Sequence, residues 1–215
     1  MLIKLGTRSS PLALKQVEEI KKRMEKVNFE VIEIATKGDK DKTTPLHEFE
    51  GSDFFTHEIE RALIEGRIDA ALHSAKDLET ELPEELTLAA VTASIDPFDS
   101  LVSVGGVTLD KLPSGSRVGT SSQSRKDAIK RFRPDLIVKD IRGNVDERIK
   151  KLDKGEYEAI IVANAALIRL GLESRVSQVL PFSVVKSHPL QGKLAVQVRK
   201  KREDLINLFE VIDGS

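Results

Sequence analysis

Leu5-Gly6-Thr7-Arg8-Ser9-Ser10, residues 5–10, ends a short apolar run and is followed by Pro11. Val118-Gly119-Thr120-Ser121-Ser122, residues 118–122, repeats this arrangement in the second half of the chain. In both segments a strand pattern gives way to Gly-Thr and then to a serine that can cap a helix. Proline also suits the first position of a helix. Each segment therefore predicts a strand–turn–helix junction of an α/β fold.

A second internal similarity pairs Leu63–Ala71 (LIEGRIDAA) with Leu152–Ile160 (LDKGEYEAI). Both read Leu-x-x-Gly-x-x-acidic-Ala before a buried strand. Two similarities in the same order favour two similar α/β domains, which we place at residues 1–91 plus 189–212 and at residues 96–183. The alternative is that helix–glycine–strand junctions simply recur in α/β proteins.

Apolar periodicity predicts the remaining elements. After Pro11, helical spacing continues from Ala13 to Val27. Residues 36–52 are charged and have no clear period, and we interpret them as a mobile loop. Further strands are predicted at 29–35, 68–73, 136–141, 157–163 and 194–198, and helices at 54–65, 122–133, 145–154, 165–170 and from about 203.

The segment 184–212 follows the completed pattern of the second domain, and its late strand and helix can return to the first. Two domains joined by two crossovers form a hinged inter-domain cleft, which is the layout of periplasmic-binding-protein (type II) folds. Periodicity alone does not establish this layout. It is nevertheless the architecture that we predict.

Composition narrows the function classes. The 215 residues are 40% hydrophobic and 32% charged, with a net charge of −1. Because nucleic-acid binders usually carry a positive surplus, this balance argues against a nucleic-acid partner. There is no Cys, which excludes disulfides and thiolate sites within this sequence, and the four His residues show no metal-ligand spacing. Neither a signal peptide nor an apolar run of membrane-spanning length is present, so we expect no membrane association and a cytoplasmic location.

Polar side chains follow four of the predicted strands, where a helix begins. In open α/β sheets ligands bind beyond the carboxyl ends of strands, and helix N-termini offer unpaired N–H groups. Arginine adds a planar fork that matches a carboxylate. The pattern predicts a site for a ligand with several anionic groups, although each serine or threonine alone is more often only a helix cap. The segments are Thr7–Ser10, His73–Asp77, Thr120–Arg125 and Arg142–Val145.

These segments resemble the signatures of the porphobilinogen deaminase family in order and spacing. The stretches that carry the resemblance are GTRSSPLAL (6–14), HSAKDL (73–78), VGTSS (118–122) and RGNV (142–145), with GEYEA (155–159), RLGL (169–172) and QG (191–192) fitting as well. The resemblance covers nearly all of residues 1–212. It implies a transferase, hydroxymethylbilane synthase, which joins four porphobilinogens head to tail with release of ammonia in tetrapyrrole (haem) biosynthesis.

The resemblance also implies roles for particular residues. Asp77 corresponds to the catalytic carboxylate, which can help to deliver a proton to the leaving amine and then face the cation left behind. Without the resemblance, Asp77 reads as a helix cap and Arg148 as part of a solvated helix face. We expect His73 to structure the strand end. The implied substrate- and cofactor-binding residues are Arg8, Ser10, Lys76, Thr120, Ser121, Ser122, Arg125, Arg142, Arg148 and Arg169.

The family holds a dipyrromethane cofactor through a Cys in a third, C-terminal domain. This sequence stops at Ser215, about where that domain begins in the family, and contains no Cys. Three explanations remain open: the chain is a fragment, a separate Cys-bearing chain completes it, or it has left the original reaction.

The predicted site departs from the family as well. Glu48 and Ser52 occupy the positions of two family lysines, and Glu50 and Asp53 replace glycines. Ser124 replaces one of two adjacent arginines, and residues 187–190 (SHPL) replace an Ala-Val-Gly run. Since like charges repel at close range, these changes weaken the expected binding of a polycarboxylate. An enzyme is therefore the leading hypothesis, with a non-catalytic paralogue that binds a pyrrole polycarboxylate, and then a generic anion-binding protein, as alternatives.

Overall fold

The computed structural model describes residues 1–41 and 53–214. Their contacts divide into two compact units, the first comprising residues 1–41, 53–95 and 193–214 and the second residues 96–192. The chain thus returns to the first unit at Lys193 rather than at residue 189. The reason is Gln191, which is buried in the second unit, where its side-chain amide donates to Phe98 O at 3.0 Å and to Asp99 Oδ1 at 2.6 Å.

The strands are β1 (Leu2–Arg8), β2 (Asn28–Ile34), β3 (Ala70–Ser74), β4 (Leu86–Val91), β5 (Asp99–Ser103), β6 (Arg117–Gly119), β7 (Ile137–Lys139), β8 (Ala159–Ala163), β9 (Gln178–Leu180) and β10 (Leu194–Arg199). The α-helices are α1 (Pro11–Arg23), α2 (Lys37–Lys40), α3 (His57–Ile64), α4 (Gln123–Phe132), α5 (Val145–Asp153), α6 (Asn164–Leu170) and α7 (Glu203–Phe209). None of the helices in these described ranges is long and apolar enough to cross a membrane.

The first unit is built on a mixed sheet of order β2-β1-β3-β10-β4. Strands β1, β2 and β3 run parallel, and β10 is antiparallel to both of its neighbours. Helix α1 packs on this sheet through Val17 and Ile20, and α7 packs through Phe209, which stacks on Phe29 at 6.2 Å between ring centroids. The late strand and helix therefore complete the first sheet and its core.

Helix α1 begins as predicted but ends earlier. Ser10 Oγ accepts from Ala13 N at 3.2 Å and Pro11 occupies the first turn. The helix ends at Arg23, because Met24 leaves helical geometry and the chain turns, with Val27 N donating to Met24 O at 2.9 Å. Val27 packs on the core from outside the helix.

Residues 36–41 are not the mobile loop that we expected from the sequence. Thr36 caps α2 through a capping box, in which its hydroxyl accepts from Asp39 N and the Asp39 carboxylate accepts from Thr36 N. Residues 42–52 lie outside the described residues. The predicted helix over 54–65 is also divided, into a single 3₁₀ turn at Asp53–Phe55 and helix α3.

The second unit repeats this architecture with a sheet of order β7-β6-β8-β5-β9. Strands β6, β7 and β8 run parallel, and β5 is antiparallel to its two neighbours. β6 therefore corresponds to β1, and β5, which begins this unit, takes the place of β10. The cores on this sheet consist mainly of Ile, Leu and Val.

The two internal similarities of the sequence reappear as equivalent contacts. A Cβ on Gly6 would meet the Ile68 side chain, and a Cβ on Gly119 would lie 2.9 Å from Tyr157 Cδ1. Ile68 and Tyr157 occupy the same place in the two LxxGxx segments. The acidic residue that follows accepts from the backbone of the neighbouring strand in both units, Asp69 from Lys4 N at 2.9 Å and Glu158 from Arg117 N at 2.6 Å.

Candidate functional site

In the first unit the predicted site residues gather at the carboxyl ends of the parallel strands. Arg8 ends β1, and Lys76 and Asp77 lie in the 3₁₀ turn that follows β3. Together with Ser10 they line a pocket that opens to solvent. The first unit thus brings its four predicted site residues into one pocket.

Asp77 is half-buried in this pocket and makes no hydrogen bond or ion pair with any described residue. Its carboxylate is therefore available to a ligand. Lys76 precedes it in the same turn and is also half-buried. The turn is held to the sheet by Ala75 N, which donates to Lys193 O at 3.1 Å.

Arg8 is held on two sides. Its Nη2 donates to Asp39 Oδ1 at 2.5 Å, and its Nε lies 3.2 and 3.3 Å from the two oxygens of the same carboxylate. The guanidinium carbon stands 4.2 Å from the centroid of the Phe55 ring. Although partial burial favours the neutral acid, hydrogen bonds from Arg8 and Thr36 hold the pKa of Asp39 below its ordinary value.

Two buried polar atoms around the pocket lack a hydrogen-bond partner among the described residues: Thr7 Oγ1 and Thr56 Oγ1. Both side chains are 1% exposed, and His73, which is 5% exposed, lies beside the Gln197 side chain. Burial lowers the pKa of His73 to about 4, so the ring is neutral at physiological pH. Buried polar groups without partners are rare in proteins, and here they mark a site suited to polar ligand atoms or water.

Sequence reasoning missed several residues of this site. Phe55, Thr56 and Gln16 line the pocket and were not among the predicted site residues, and neither was Asp39, which lies behind Arg8. Gln16 is 4% exposed in α1, and its amide donates to Ser74 Oγ at 2.9 Å. The capping-box spacing Thr36-x-x-Asp39 is the one local signal that could have placed an ordered carboxylate here.

In the second unit the predicted residues likewise follow the parallel strands. Residues 120–122 follow β6, Arg142 follows β7 and precedes α5, and Arg169 lies on α6, which follows β8. Arg148 lies on α5, where its Nε donates to Gly143 O at 2.9 Å. Arg169 Nη2 donates to Gly192 O at 2.9 Å. Arg142 is buried, with 7% of the residue exposed.

Arg125 is already engaged within its own unit. Its Nε and Nη2 donate to the two oxygens of Asp99 at 2.9 and 2.6 Å, with exposed side-chain fractions of 11% and 1% for the two partners. Gln191 donates to the same carboxylate. Arg125 therefore belongs to a buried polar network, and its Nη1 makes no hydrogen bond to any described residue.

The hydroxyl groups after β6 also have protein partners. Thr120 Oγ1 accepts from Ser122 N at 3.3 Å, and Ser121 Oγ donates to Ile141 O at 2.6 Å. Ser122 precedes α4 without capping it, and its hydroxyl lies 2.9 Å from that of Ser124. Ser124 thus fills the place of a family arginine with a local hydroxyl pair. Glu48, Glu50 and Ser52 lie outside the described residues, as does the side chain of Asp53. Across the described ranges no group of three acidic or histidine side chains is placed to hold a metal ion.

Comparison with known proteins decides the family. A family model described as porphobilinogen deaminase, dipyromethane cofactor binding domain, matches residues 3–207. The chain belongs to the porphobilinogen deaminase family. It is 41% identical over 216 residues to the porphobilinogen deaminase of Brevibacillus brevis, covering 99% of this chain and 70% of that protein. The Roseiflexus porphobilinogen deaminase is 42% identical over 213 residues, at 97% and 70% coverage.

Solved structures bear on the fold of this porphobilinogen deaminase family member. The reduced form of the regulatory domain of OxyR2 from Vibrio vulnificus has a TM-score of 0.54 at 18% identity, covering 99% of this chain and 94% of that one. A putative methionine-binding lipoprotein from Bacillus subtilis has a TM-score of 0.55 at 14% identity, with coverages of 100% and 91%. These similarities confirm the predicted class, an α/β fold with two similar domains of the periplasmic-binding-protein type II kind.

Proposed function

We propose that this chain is the part of a hydroxymethylbilane synthase that binds and joins the pyrroles. In this proposal it condenses four porphobilinogens head to tail and releases one ammonia at each step, as a transferase of tetrapyrrole biosynthesis. Family membership supports the reaction, and one feature of the site supports the assignment of residues. That feature is the carboxylate of Asp77, which has no partner among the described residues and shares a pocket with Lys76 and Arg8. A cytoplasmic location is part of the same proposal.

The proposed reaction needs little more than a placed carboxylate and cations. The C–N bond of the substrate's aminomethyl group breaks, and the nitrogen leaves as ammonia with a proton that Asp77 helps to deliver. The cation left on the substrate's ring and methylene carbon then faces the Asp77 carboxylate, which stabilises it. A C–C bond forms between the methylene carbon and the free α-carbon of the neighbouring pyrrole, and that carbon loses its proton.

The remaining predicted residues serve as anchors for acetate and propionate groups. Arg8 and Lys76 are the cations of the first pocket, and Ser10 can still donate its hydroxyl hydrogen while it caps α1. In the second unit we assign this role to Arg142, Arg148 and Arg169. The hydroxyls of Thr120 and Ser121 act mainly through the turn that they hold. Arg125 contributes its remaining donors from its network with Asp99.

The matching family model is named for a dipyrromethane cofactor. The first pocket fits such a group, since its cations, and the buried hydroxyls that lack a partner among the described residues, suit a pyrrole with several carboxylates. Arg8 and Lys76 would hold its acidic side arms. When bound, the group supplies the pyrrole carbon to which the first substrate is joined. The 215 residues contain no Cys, so we propose that a Cys outside them, in further chain or in a separate Cys-bearing partner, attaches it.

The second candidate is a non-catalytic paralogue that captures a pyrrole polycarboxylate. The observation in its favour is the sequence of the loop, where Glu48 and Ser52 stand at family lysine positions. Ser124 adds a third lost cation. This candidate predicts binding of porphobilinogen or hydroxymethylbilane without release of ammonia.

One experiment separates the candidates. The chain is incubated with porphobilinogen, with and without preformed hydroxymethylbilane as primer, and the product is oxidised to uroporphyrin and quantified together with ammonia. We expect activity that Asp77→Asn lowers at least 100-fold, a typical size for a lost acid–base group. The matched control is Glu81→Gln, which neutralises an exposed carboxylate four positions along the same loop and leaves activity unchanged. Binding without ammonia release under every primer condition would establish the paralogue instead.

A further inference from the structure

The carboxylate of Asp39 lies behind Arg8 and was not among the predicted site residues. We propose that Asp39 is a positioning residue for substrate recognition: it orients the Arg8 guanidinium so that a fixed edge meets a carboxylate of the substrate. This inference rests on the proposed function, because it specifies how the pocket recognises an acidic pyrrole. Asp39 itself is not among the residues that line the pocket, so it acts through Arg8.

The contacts of Arg8 leave a defined set of donors for a ligand. Nε and one hydrogen of Nη2 are directed at Asp39, and the Phe55 ring covers one face of the guanidinium. Within the described residues, Nη1 has no hydrogen bond. Because the guanidinium is planar, fixing Nε and Nη2 also fixes the direction of the remaining N–H bonds. A ligand carboxylate therefore meets donors whose geometry is set before binding.

Asp39 is itself held in place. One of its oxygens, Oδ2, accepts from Thr36 N at 3.2 Å and from Thr36 Oγ1 at 2.8 Å, and Thr36 is fully buried. The short helix α2 then packs on the ring that also contacts Arg8, because Gly38 lies against Phe55 so closely that a Cβ would overlap it. Asp39, Arg8 and Phe55 are thus parts of one packed cluster. Contacts therefore connect the buried Thr36 at the start of α2 to Arg8 in the pocket.

The charge balance explains why such a carboxylate is useful beside an anion site. An unpaired arginine attracts a carboxylate more strongly, but it loses considerable side-chain freedom when it binds. Asp39 weakens the attraction between Arg8 and a ligand carboxylate. Because it already holds the Arg8 side chain in place, less side-chain entropy is lost when the ligand binds. The side chains of Arg8 and Asp39 are 25% and 17% exposed, so the pair is shielded enough to persist and open enough to be reached. We therefore expect the pocket to select ligands by the position of their carboxylates rather than by their net charge.

Kinetics test this role. In primed assays of the whole 215-residue chain with porphobilinogen, we expect Asp39→Asn to raise KM about tenfold, as one lost charge-assisted contact does, and to leave kcat within about twofold. In an Arg8→Met background Asp39→Asn should change KM no further, because in this proposal Asp39 affects the substrate only through Arg8. The matched control is Glu33→Gln, which neutralises an exposed carboxylate of β2 outside the cluster of Asp39, Arg8 and Phe55, and its KM should stay within about twofold.

A readout that does not depend on turnover separates this inference from the proposed function. In ligand-free protein, ¹H–¹⁵N NMR should show a slowly exchanging Arg8 Nε–H signal in the parent and in Glu33→Gln, and this signal should be lost in Asp39→Asn. Should the parent bind porphobilinogen without turning it over, calorimetric affinity replaces KM, and only the reaction is refuted. The positioning role is refuted by an unchanged KM or affinity in Asp39→Asn. A full additional effect of Asp39→Asn in the Arg8→Met background would also refute it.

Discussion

Thr7 Oγ1 at the end of β1 has no hydrogen-bond partner among the described residues, whereas the equivalent Thr120 Oγ1 after β6 accepts from Ser122 N. The matching positions one strand away differ in polarity. His73 in β3 is buried beside the Gln197 side chain, while the position that matches it in β8 is the apolar Val162, which is 2% exposed. Equivalent places in two similar sheets therefore differ in their polar groups and in how the protein satisfies them.

The arginines differ in the same direction. Arg8 in the first unit lines the pocket and pairs with Asp39, and the two side chains are 25% and 17% exposed. Arg125 in the second unit is paired with Asp99 at 11% and 1% exposure, with Gln191 on the same carboxylate. In the second unit the strand-end polar groups bind one another, whereas Thr7 Oγ1 in the first unit has no partner among the described residues. This difference is consistent with the proposal that places the reacting carboxylate, Asp77, in the first unit.

The largest effect on stability should follow from breaking the buried network of the second unit. Asp99→Asn leaves the Arg125 guanidinium buried without its counter-charge, and such losses cost about 3–5 kcal/mol. Asp153→Asn is the matched control, because Asp153 pairs with Arg175 at 52% and 35% exposure and surface pairs contribute about 1 kcal/mol or less. Urea unfolding of both variants measures the difference. Equal losses would show that the network contributes no more than a surface pair, and the contrast between the units would fail.

A smaller, pH-dependent effect should distinguish His73 from Val162. The folded-state pKa of His73 is about 4 and the ordinary value is 6.5, so between these values the unfolded chain binds more protons. Stability from this residue is therefore complete above pH 6.5 and is lost as the pH falls towards 4, by roughly 2 kcal/mol between pH 7 and pH 5.

The variant His73→Val copies the second unit at this position. Its unfolding free energy should differ from that of the parent at pH 7 because the packing has changed. It should not show the further drop of roughly 2 kcal/mol between pH 7 and pH 5 that His73 causes in the parent. Urea titrations at the two pH values compare it with the parent. A drop of the same size in both proteins would mean that His73 binds its proton equally well in the folded and unfolded chain, and that burial does not lower its pKa.

Much of the fold could be predicted from local sequence. The apolar runs at β1 and β3 and the capped start of α1 are each specified by nearby residues, and they were placed within a few positions. Strands β4, β5 and β9 were not predicted. β5 in particular contains Asp99, Ser100 and Ser103, which are buried polar residues that hide a strand pattern. Their burial depends on partners far along the chain, such as Arg125 and Asn164.

The site was predictable in the same uneven way. Motif positions pointed to Arg8, Lys76 and Asp77, which line one pocket, but their roles in catalysis remain proposals. The sequence could not indicate that Arg125 is paired with Asp99, because 26 residues separate them along the chain. The Thr36-x-x-Asp39 spacing could have suggested a capped turn, but it could not indicate that the Asp39 carboxylate also pairs with Arg8, which lies 31 residues away along the chain.

The smallest expected effect concerns the two threonines with which the comparison began. Thr120→Val removes the acceptor of Ser122 N and should cost about 0.5–1.5 kcal/mol. Thr7→Val replaces a buried, unpartnered hydroxyl with a methyl group of similar shape, and stability should change by less than about 0.5 kcal/mol or increase. Urea unfolding of the two variants gives both values. If Thr7→Val is as destabilising as Thr120→Val, the Thr7 hydroxyl has a partner such as a bound water in the free protein. If it costs nothing in stability yet raises KM for porphobilinogen, the first unit has kept this hydroxyl for its ligand, because an unsatisfied group persists in a core only where another requirement holds it there.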